Sequence, residues 1–296
     1  FRSSLPENAG LSITPDFLEQ VILLLRRLNY DIVTLGDVPT RLAGEGGRPF
    51  AALTFDDGYR DNADFALPIL RQHNAPMTLF VCPGFAERMA PLWWLDLEEA
   101  VMRLDRLAID LPDGGFSAES PTREAKIAAL RALYWRLRQQ DEPSLRIAVA
   151  TLARQAGLDP AARIARLCMD WDELRRFADD PLVTIGAHTL THPRLAKLDE
   201  DAARMEIAGS RERILSEMGV DAQDFAYPVG DPTSAGEREF ALTREAGFRS
   251  AVTTRPGVLK GGVDLLALPR ISVNGLYQQP RYLRALVSGV PFLMKR

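Results

Sequence analysis

The sequence has few cysteines, few histidines and no long hydrophobic run. Its 296 residues include two cysteines and three histidines. Cys82 and Cys168 lie far apart, so the paired Cys-x-x-Cys motif of many zinc and redox sites is absent, and we expect two buried structural thiols. No run of about 18 apolar residues is present, which argues against a membrane-spanning helix.

Excess charge of either sign is also small. Lys and Arg number 36 and Asp and Glu number 40, for a net charge of −4, so no basic field favours nucleic acid or an anionic membrane as a partner. Apolar residues make up 46% of the chain, enough for a sizeable core. The sequence begins with Phe1 rather than Met. We expect a cytoplasmic protein, but because of this start a periplasmic or secreted one stays open as the alternative.

Short apolar segments alternate with amphipathic ones along most of the chain. Alternation of this kind predicts parallel strands joined by right-handed helical crossovers, and barrels of this type reach this length as one domain. Between positions 93 and 155 this alternation stops, and the composition predicts a mostly helical insertion at about 90–170. The seven predicted strands lie at 31–35, 51–55, 77–82, 182–187, 224–227, 249–253 and 266–273.

Reactive side chains follow three of these predicted strands. Asp56 and Asp57 come after the second, His188 and His192 after the fourth, and Tyr227 closes the fifth. The carboxyl ends of parallel strands meet at one face, so these residues are expected to converge. Two histidines four residues apart plus one carboxylate are typical ligands of a catalytic zinc-type site, which leaves a position for water. The second adjacent carboxylate would be free to take a proton.

Each motif taken alone has a simpler interpretation. An Asp-Asp-Gly sequence is often only a polar turn, and paired histidines can be structural. The third histidine, His73, follows a predicted helix and fits a helix-end position. The combination of the two motifs is therefore what favours a metal centre.

The motifs resemble those of a known family. Thr-Phe-Asp-Asp-Gly at 54–58, His-Thr-Leu-Thr-His-Pro at 188–193 and Phe-Ala-Tyr-Pro-Val-Gly at 225–230 closely resemble the polysaccharide deacetylase family, also called the NodB-homology or carbohydrate esterase family 4 domain. The resemblance implies an α/β fold, a distorted (β/α) barrel of about seven parallel strands with a helical insertion. It also implies a single domain over 1–296 and a divalent metal, with Zn2+ as the expected ion.

The resemblance also implies a role for each matching residue. Asp56 would be the general base, and Asp57, His188 and His192 would be the metal ligands. The backbone N–H of Tyr227 would help to stabilise the oxyanion formed when water attacks an amide carbonyl.

Two features depart from the family pattern. No histidine follows His192, although the family usually carries a late one as general acid. The acid is expected from residues upstream of Phe1; alternatively Asp56 carries the proton both ways, or the protein is slow or inactive. The usual arginine beside the Tyr-Pro motif is also absent, and Arg270 is the candidate replacement through a salt bridge to Asp56, against the equally simple interpretation of a surface arginine. Asp264 is expected to be an ordinary loop residue.

The implied substrate is an acetylated oligo- or polysaccharide containing N-acetylglucosamine. The rival functions are hydrolysis of an O-acetyl ester or a small cyclic amide, and sugar binding without catalysis. Sugar polymers often stack on aromatic side chains in open grooves. Tyr59 is the best groove candidate and Trp171 a further one, whereas Trp93 and Trp94 fit core anchors of the insertion better.

Overall fold

A seven-stranded parallel sheet forms the centre of the molecule in the computed structural model, which describes residues 5–44 and 47–293. In their order across the sheet, the strands are β1 (Asp31–Val33), β2 (Phe50–Phe55), β3 (Met77–Val81), β6 (Val183–Ala187), β7 (Asp224–Ala226), β8 (Ser250–Pro256) and β9 (Leu268–Arg270). Every neighbouring pair in this order is parallel. The distorted (β/α) barrel expected from the sequence is thereby confirmed.

Burial explains why the middle strand is an uninterrupted apolar segment. All five residues of β3 are buried, because in a parallel sheet covered on both faces neither side of a central strand meets water. β3 pairs with β6 over five residues, from Met77 opposite Val183 to Val81 opposite Ala187. The segment between β3 and β6 therefore leaves the sheet and returns beside its starting point.

Helices cover the outside of the sheet, and several begin at the residues that the sequence favours. The Thr14 hydroxyl accepts a hydrogen bond from Phe17 N at the start of the helix Pro15–Arg27, which has Pro15 in its first turn. The helix Glu200–Met218 ends at Gly219 with φ 68°, where glycine is tolerated without a Cβ clash. None of the helices in the described ranges combines the length and apolar character needed to cross a bilayer. The helices are α1 (Pro6–Ala9), α2 (Pro15–Arg27), α3 (Val38–Ala43), α4 (Leu67–Gln72), α5 (Pro83–Ala86), α6 (Trp93–Arg103), α7 (Arg123–Gln139), α8 (Glu142–Gln155), α9 (Pro160–Leu167), α10 (Trp171–Ala178), α11 (Glu200–Met218), α12 (Glu237–Glu245), α13 (Pro280–Val287) and α14 (Val290–Leu293).

The two outermost strands of the order, β1 and β9, are bridged by helices. α2 packs against α13, and the hydroxyl of Tyr30 donates to the carbonyl of Val287 at 3.0 Å. Side chains from both ends of the sheet, Ile32 and Ile271, meet in the same apolar cluster. Helix packing therefore closes the gap between β1 and β9, where a regular barrel would have paired strands. This gap is what makes the barrel distorted.

The insertion between β3 and β6 contains helices α6 to α9, as predicted, and also a hairpin that we did not predict. Its strands, β4 (Arg106–Ile109) and β5 (Phe116–Glu119), are antiparallel. The Pro-Asp-Gly-Gly sequence at 112–115 lies in the turn between them. Burial alternates along β4, where Leu107 and Ile109 are buried and their neighbours are exposed. A strand of four residues gives a period-2 pattern that is too short to be distinguished between long helices, so the sequence did not predict this hairpin.

The insertion has its own apolar core and a polar connection to the barrel. Both tryptophans at its start, Trp93 and Trp94, are buried, as their interpretation as core anchors predicts. Arg194, which follows the second histidine motif, forms an ion pair with Glu142 at the start of α8, 2.5 Å from Nε to Oε1, and both side chains are at most 5% exposed. Arg194 also donates to the carbonyls of Arg138 and Gln140. The extent of the single predicted domain, 1–296, stays a prediction.

We expect Glu142→Ala to lower the free energy of unfolding by about 3 kcal/mol, because it leaves the Arg194 charge buried without its carboxylate partner. Chemical denaturation measures the change. The control is Glu245→Ala, which removes a carboxylate bound to Arg204 at the surface, where both side chains are about half exposed; this change should cost less than about 1 kcal/mol. Equal losses in the two variants would show that the buried pair does not stabilise the fold.

Candidate metal centre

The carboxylate of Asp57 lies just beyond the end of β2. Asp57 and Gly58 both have left-handed backbone, with φ of 74° and 75°. The insertion holds this turn in place, because Met169 N donates to the Gly58 carbonyl at 3.0 Å and Arg60 N donates to the Leu167 carbonyl at 2.7 Å. A non-glycine residue in this conformation is strained, and strain of this kind is retained mostly at functional sites.

His188 directly follows β6 and is only 2% exposed. Its backbone N–H continues the sheet by donating to the carbonyl of Val81 at 2.9 Å. Its ring Nδ1 lies 2.7 Å from the carbonyl oxygen of Ala226 at the end of β7. A carbonyl only accepts hydrogen bonds, so Nδ1 carries the proton and Nε2 keeps a free lone pair. Two neighbouring strands therefore fix both the orientation and the tautomer of this imidazole.

His192 is carried by the short loop after His188, and side chains from two helices hold that loop. Glu206 of α11 accepts hydrogen bonds from the backbone N–H and the hydroxyl of Thr191, at 2.8 and 2.6 Å. Arg146 of the insertion donates to the Thr191 carbonyl at 2.7 Å. His192 itself has φ 61°, and Trp94 packs on its ring with the centroids 4.9 Å apart.

One ligand atom from each of Asp57, His188 and His192 lies within 4.8 Å of the other two. Asp57 Oδ1 lies 3.4 Å from His188 Nε2 and 3.3 Å from His192 Nε2. Two ligands at about 2.0–2.1 Å from a tetrahedral zinc ion are separated by about 3.3 Å. Asp57 Oδ1 is also buried without a hydrogen-bond partner, which is costly unless a cation satisfies it. Asp57, His188 and His192 therefore fit a metal centre, with a position left for water.

The electrostatics keep His192 available as a ligand. Burial lowers its pKa to about 4, and this loss of hydration outweighs the opposing effect of the Asp57 carboxylate. Burial also opposes protonation of His188, but the nearby carboxylates of Asp57 and Asp56 raise its pKa. The negative charges beside the two rings would favour any cation placed between them.

Asp56, next to the candidate ligand, is paired with Arg270 of β9. Two parallel hydrogen bonds of 2.9 Å join the guanidinium to the carboxylate, so the predicted ion pair is present. Burial alone would raise the pKa of Asp56, but the charges of Arg270 and His188 and the hydrogen bonds from Arg270 lower it to about 2. Arg270 Nε also donates to the Thr253 carbonyl at 2.8 Å. The Asp56 side chain remains 30% exposed, so it is ionised, oriented and accessible.

Tyr227 directly follows Ala226, whose carbonyl orients His188. The backbone N–H and the hydroxyl of Tyr227 are both hydrogen-bonded to backbone carbonyls of other elements. Its backbone N–H donates to the Val252 carbonyl at 3.1 Å, within the pairing of β7 and β8, and its hydroxyl donates to the Leu266 carbonyl at 2.9 Å. Its predicted role as an oxyanion donor stays a prediction, and it would require the N–H to leave the sheet.

Other residues singled out in the sequence take structural positions. His73 follows α4 and contacts Glu19 at 2.8 Å, near the amino end of β3 and therefore at the opposite end of the sheet from the centre.

Tyr59 is half-buried against the core of the insertion, and the Trp171 indole donates to Glu87. Asp264 caps a short 3-10 turn and pairs with Arg244. Cys82 and Cys168 are free and buried, as predicted.

The sequence did not identify several residues that support the metal centre. Glu206, Arg146, Arg194 and Glu142 hold the loop of His192. In sequence, Glu206, Arg146 and Glu142 are ordinary charged residues of amphipathic helices, and Arg194 is an ordinary loop arginine. No motif distinguishes them, because their partners come from distant elements. Trp94 was recognised as a core anchor, but its contact with His192 was not.

Comparisons with known proteins agree with these motifs. The family model described as "Polysaccharide deacetylase" matches residues 43–251. A Streptococcus pyogenes deacetylase, PplD, solved in complex with acetate, superposes with a TM-score of 0.62 at 17% identity, covering 95% of this chain and 91% of that one. IcaB from Ammonifex degensii gives 0.56 at 18%, covering 88% and 84%, and the BpsB deacetylase domain from Bordetella bronchiseptica gives 0.55 at 16%, covering 91% and 89%. At these identities the structural similarities show the fold, and the comparison with curated protein sequences found no match.

We expect His188→Ala to abolish stoichiometric binding of Zn2+, because a centre with three protein ligands loses one of them. Elemental analysis of dialysed protein and the rise in melting temperature on adding Zn2+ both measure this. His73→Ala is the control, since it removes a histidine at the other end of the sheet and should bind as the unmodified protein does. A zinc content in His188→Ala equal to that of the unmodified protein would show that the bound zinc lies at another site.

Proposed function

The chain belongs to the polysaccharide deacetylase family, and from this premise we propose that it is a metal-dependent hydrolase that removes N-acetyl groups from a poly- or oligosaccharide containing N-acetylglucosamine. One observation carries the proposal: two adjacent acids are held in different environments. Asp57 Oδ1 faces two imidazole nitrogens at 3.3–3.4 Å, whereas Asp56 is turned to Arg270 and remains partly exposed. One acid can thus hold a cation while the other takes a proton.

Zn2+ is the proposed ion, because it is commonly bound by two imidazoles and a carboxylate with an open position. When bound, such a cation polarises the carbonyl of the amide and lowers the pKa of a water at the open position toward about 7. The residues of the chain supply the remaining requirements. Asp57, His188 and His192 are fixed by surrounding backbone and side chains, so little reorganisation is needed when charge develops.

Asp56 is the proposed general base. Its bidentate pairing with Arg270 fixes the carboxylate plane, and a geometrically fixed base is more effective than a mobile one. The same pairing holds the acid ionised at neutral pH. Arg270 acts on Asp56 rather than on substrate and is therefore a positioning residue.

The experiment that tests the function is acetate release from three classes of substrate. Zinc-loaded and chelator-treated protein are compared on N-acetylglucosamine oligomers, on an O-acetylated sugar and on a small cyclic amide. We expect release from the oligomers, loss of release after chelation and recovery when Zn2+ is returned. Preference for the ester or the cyclic amide would replace the proposed substrate, and zinc and sugar binding without hydrolysis would favour an inactive binding homologue.

We expect Asp56→Asn to lower kcat by about 10²–10⁴-fold, the usual contribution of a general base, while the zinc content stays unchanged. The asparagine keeps the size of the side chain but cannot accept the proton. Steady-state kinetics on an N-acetylglucosamine oligomer together with metal analysis separate the two effects. Activity near that of the unmodified protein would overturn the assignment of the base.

Arg270→Gln should move the acidic limb of the kcat/KM profile to higher pH. A neighbouring positive charge typically lowers a carboxyl pKa by about 1–3, so its removal raises the pKa of Asp56 and protonates the base at a higher pH. Activity that depends on ionised Asp56 is present above this pKa and is lost as the pH falls through it. Arg270→Lys, which keeps the charge, should shift the limb less. An unchanged limb in Arg270→Gln, with zinc content verified at each pH, would contradict this role for the ion pair.

A further inference from the structure

An exposed indole stands on α7 of the insertion, beside the loop that follows β7. Trp135 is 58% exposed, although most of the large aromatic side chains around it are buried or half-buried. Thr233 of the neighbouring loop is also exposed. The question is whether this ring is an isolated surface hydrophobe, which is common, or part of a binding surface.

The ring is held by a network that extends from α7 to the loop after β7. Tyr134 packs against Trp135 with the ring centroids 5.4 Å apart and the planes at 87°. The Arg138 guanidinium lies 5.9 Å from the Trp135 ring centroid and 6.0 Å from that of Tyr134. Although Arg138 is charged, its side chain is only 9% exposed, and it pairs with Asp231 at 2.8 Å. Asp231 therefore balances the charge beneath the indole and ties this part of α7 to the barrel.

A continuous row of ring contacts joins this surface to the candidate metal centre. Trp94 lies on His192 at 4.9 Å between centroids, and Trp93 lies 6.0 Å from Trp94. Tyr134 stacks on Trp93 at 5.6 Å, with an angle of 24° between the planes. Trp135 is the exposed end of this row. The loop of Asp231 also leads back to β7, where the Ala226 carbonyl orients His188. The indole and the metal centre therefore lie at the same end of the sheet.

We propose that Trp135 is a sugar-binding subsite, at which the chain of the substrate rests at a distance from the acetyl group being removed. The proposal rests on the proposed function and adds a contact that short substrates do not reach. An exposed aromatic face offers a flat apolar surface with little conformational freedom to lose, and the apolar face of a sugar ring can stack on it. Since Asp231 balances the nearby guanidinium, an uncharged N-acetylated sugar fits this surface better than a charged partner.

The test is the dependence of kinetics on substrate length. KM and kcat are measured on the N-acetylglucosamine dimer and hexamer for the unmodified protein, Trp135→Ala and Trp135→Phe. We expect Trp135→Ala to raise KM for the hexamer about five- to tenfold, in line with one lost aromatic contact, with kcat and all values for the dimer unchanged. Trp135→Phe should keep most of the affinity for the hexamer.

Phe65→Ala is the matched control, because Phe65 is 56% exposed and lies in the π-helical segment Asn62–Ala66 that leads into α4. It should leave both substrates unaffected, and melting temperatures verify that all variants are folded. Binding of the hexamer is also measured by calorimetry in the Asp56→Asn background, which needs no turnover. Unchanged hexamer affinity in Trp135→Ala would overturn the subsite, as would an equal loss for dimer and hexamer, which would indicate a structural role. If the unmodified protein releases no acetate from either oligomer, the proposed function fails, and the calorimetry still decides the subsite.

Discussion

A single carboxylate oxygen, Asp57 Oδ1, faces two imidazole nitrogens at 3.3 and 3.4 Å and has no hydrogen-bond donor of its own. The neighbouring structure maintains this unfavourable arrangement. Left-handed backbone at Asp57 and His192 aims the side chains, and the Ala226 carbonyl fixes the tautomer of His188. A cation would convert the unsatisfied lone pairs into ligands, which explains how a strained and buried polar cluster can persist in a stable fold.

The insertion contributes to this centre, although it lies outside the parallel sheet. Trp94 covers the ring of His192, Arg146 holds the loop before it, and the buried pair of Arg194 and Glu142 fixes the chain just after it. The return of the insertion to the barrel also supports the turn of Asp57 through Met169. Changes deep in the insertion should therefore affect metal binding as well as stability. The exposed face of α7 extends the same unit toward the proposed path of the substrate.

The two adjacent acids differ because the sheet gives them different neighbours. Asp57 turns toward the two histidines that follow β6, whereas Asp56 meets Arg270 from β9, at the far end of the strand order. The curvature of the sheet brings β2 and β9 close enough for this contact without any hydrogen-bonded pairing between them. In a flat sheet of the same order, Arg270 could not reach Asp56. The distortion of the barrel thus has a direct chemical consequence, an ionised acid beside the metal ligands.

The sequence by itself determined the seven parallel strands, the position of the insertion and the convergence of Asp57, His188 and His192 at one end of the sheet. These features depend on local apolar patterns and on the rule that strands of a parallel sheet end on one face. Arg270 could be named as a partner of Asp56, but only the fold decided between that role and a surface arginine. The short β4–β5 hairpin, the bonding of the Tyr227 N–H to Val252 and the supporting residues Glu206 and Arg146 were decided by tertiary structure alone. Their partners are distant in sequence, and the contacts exist only once the barrel and the insertion have packed together.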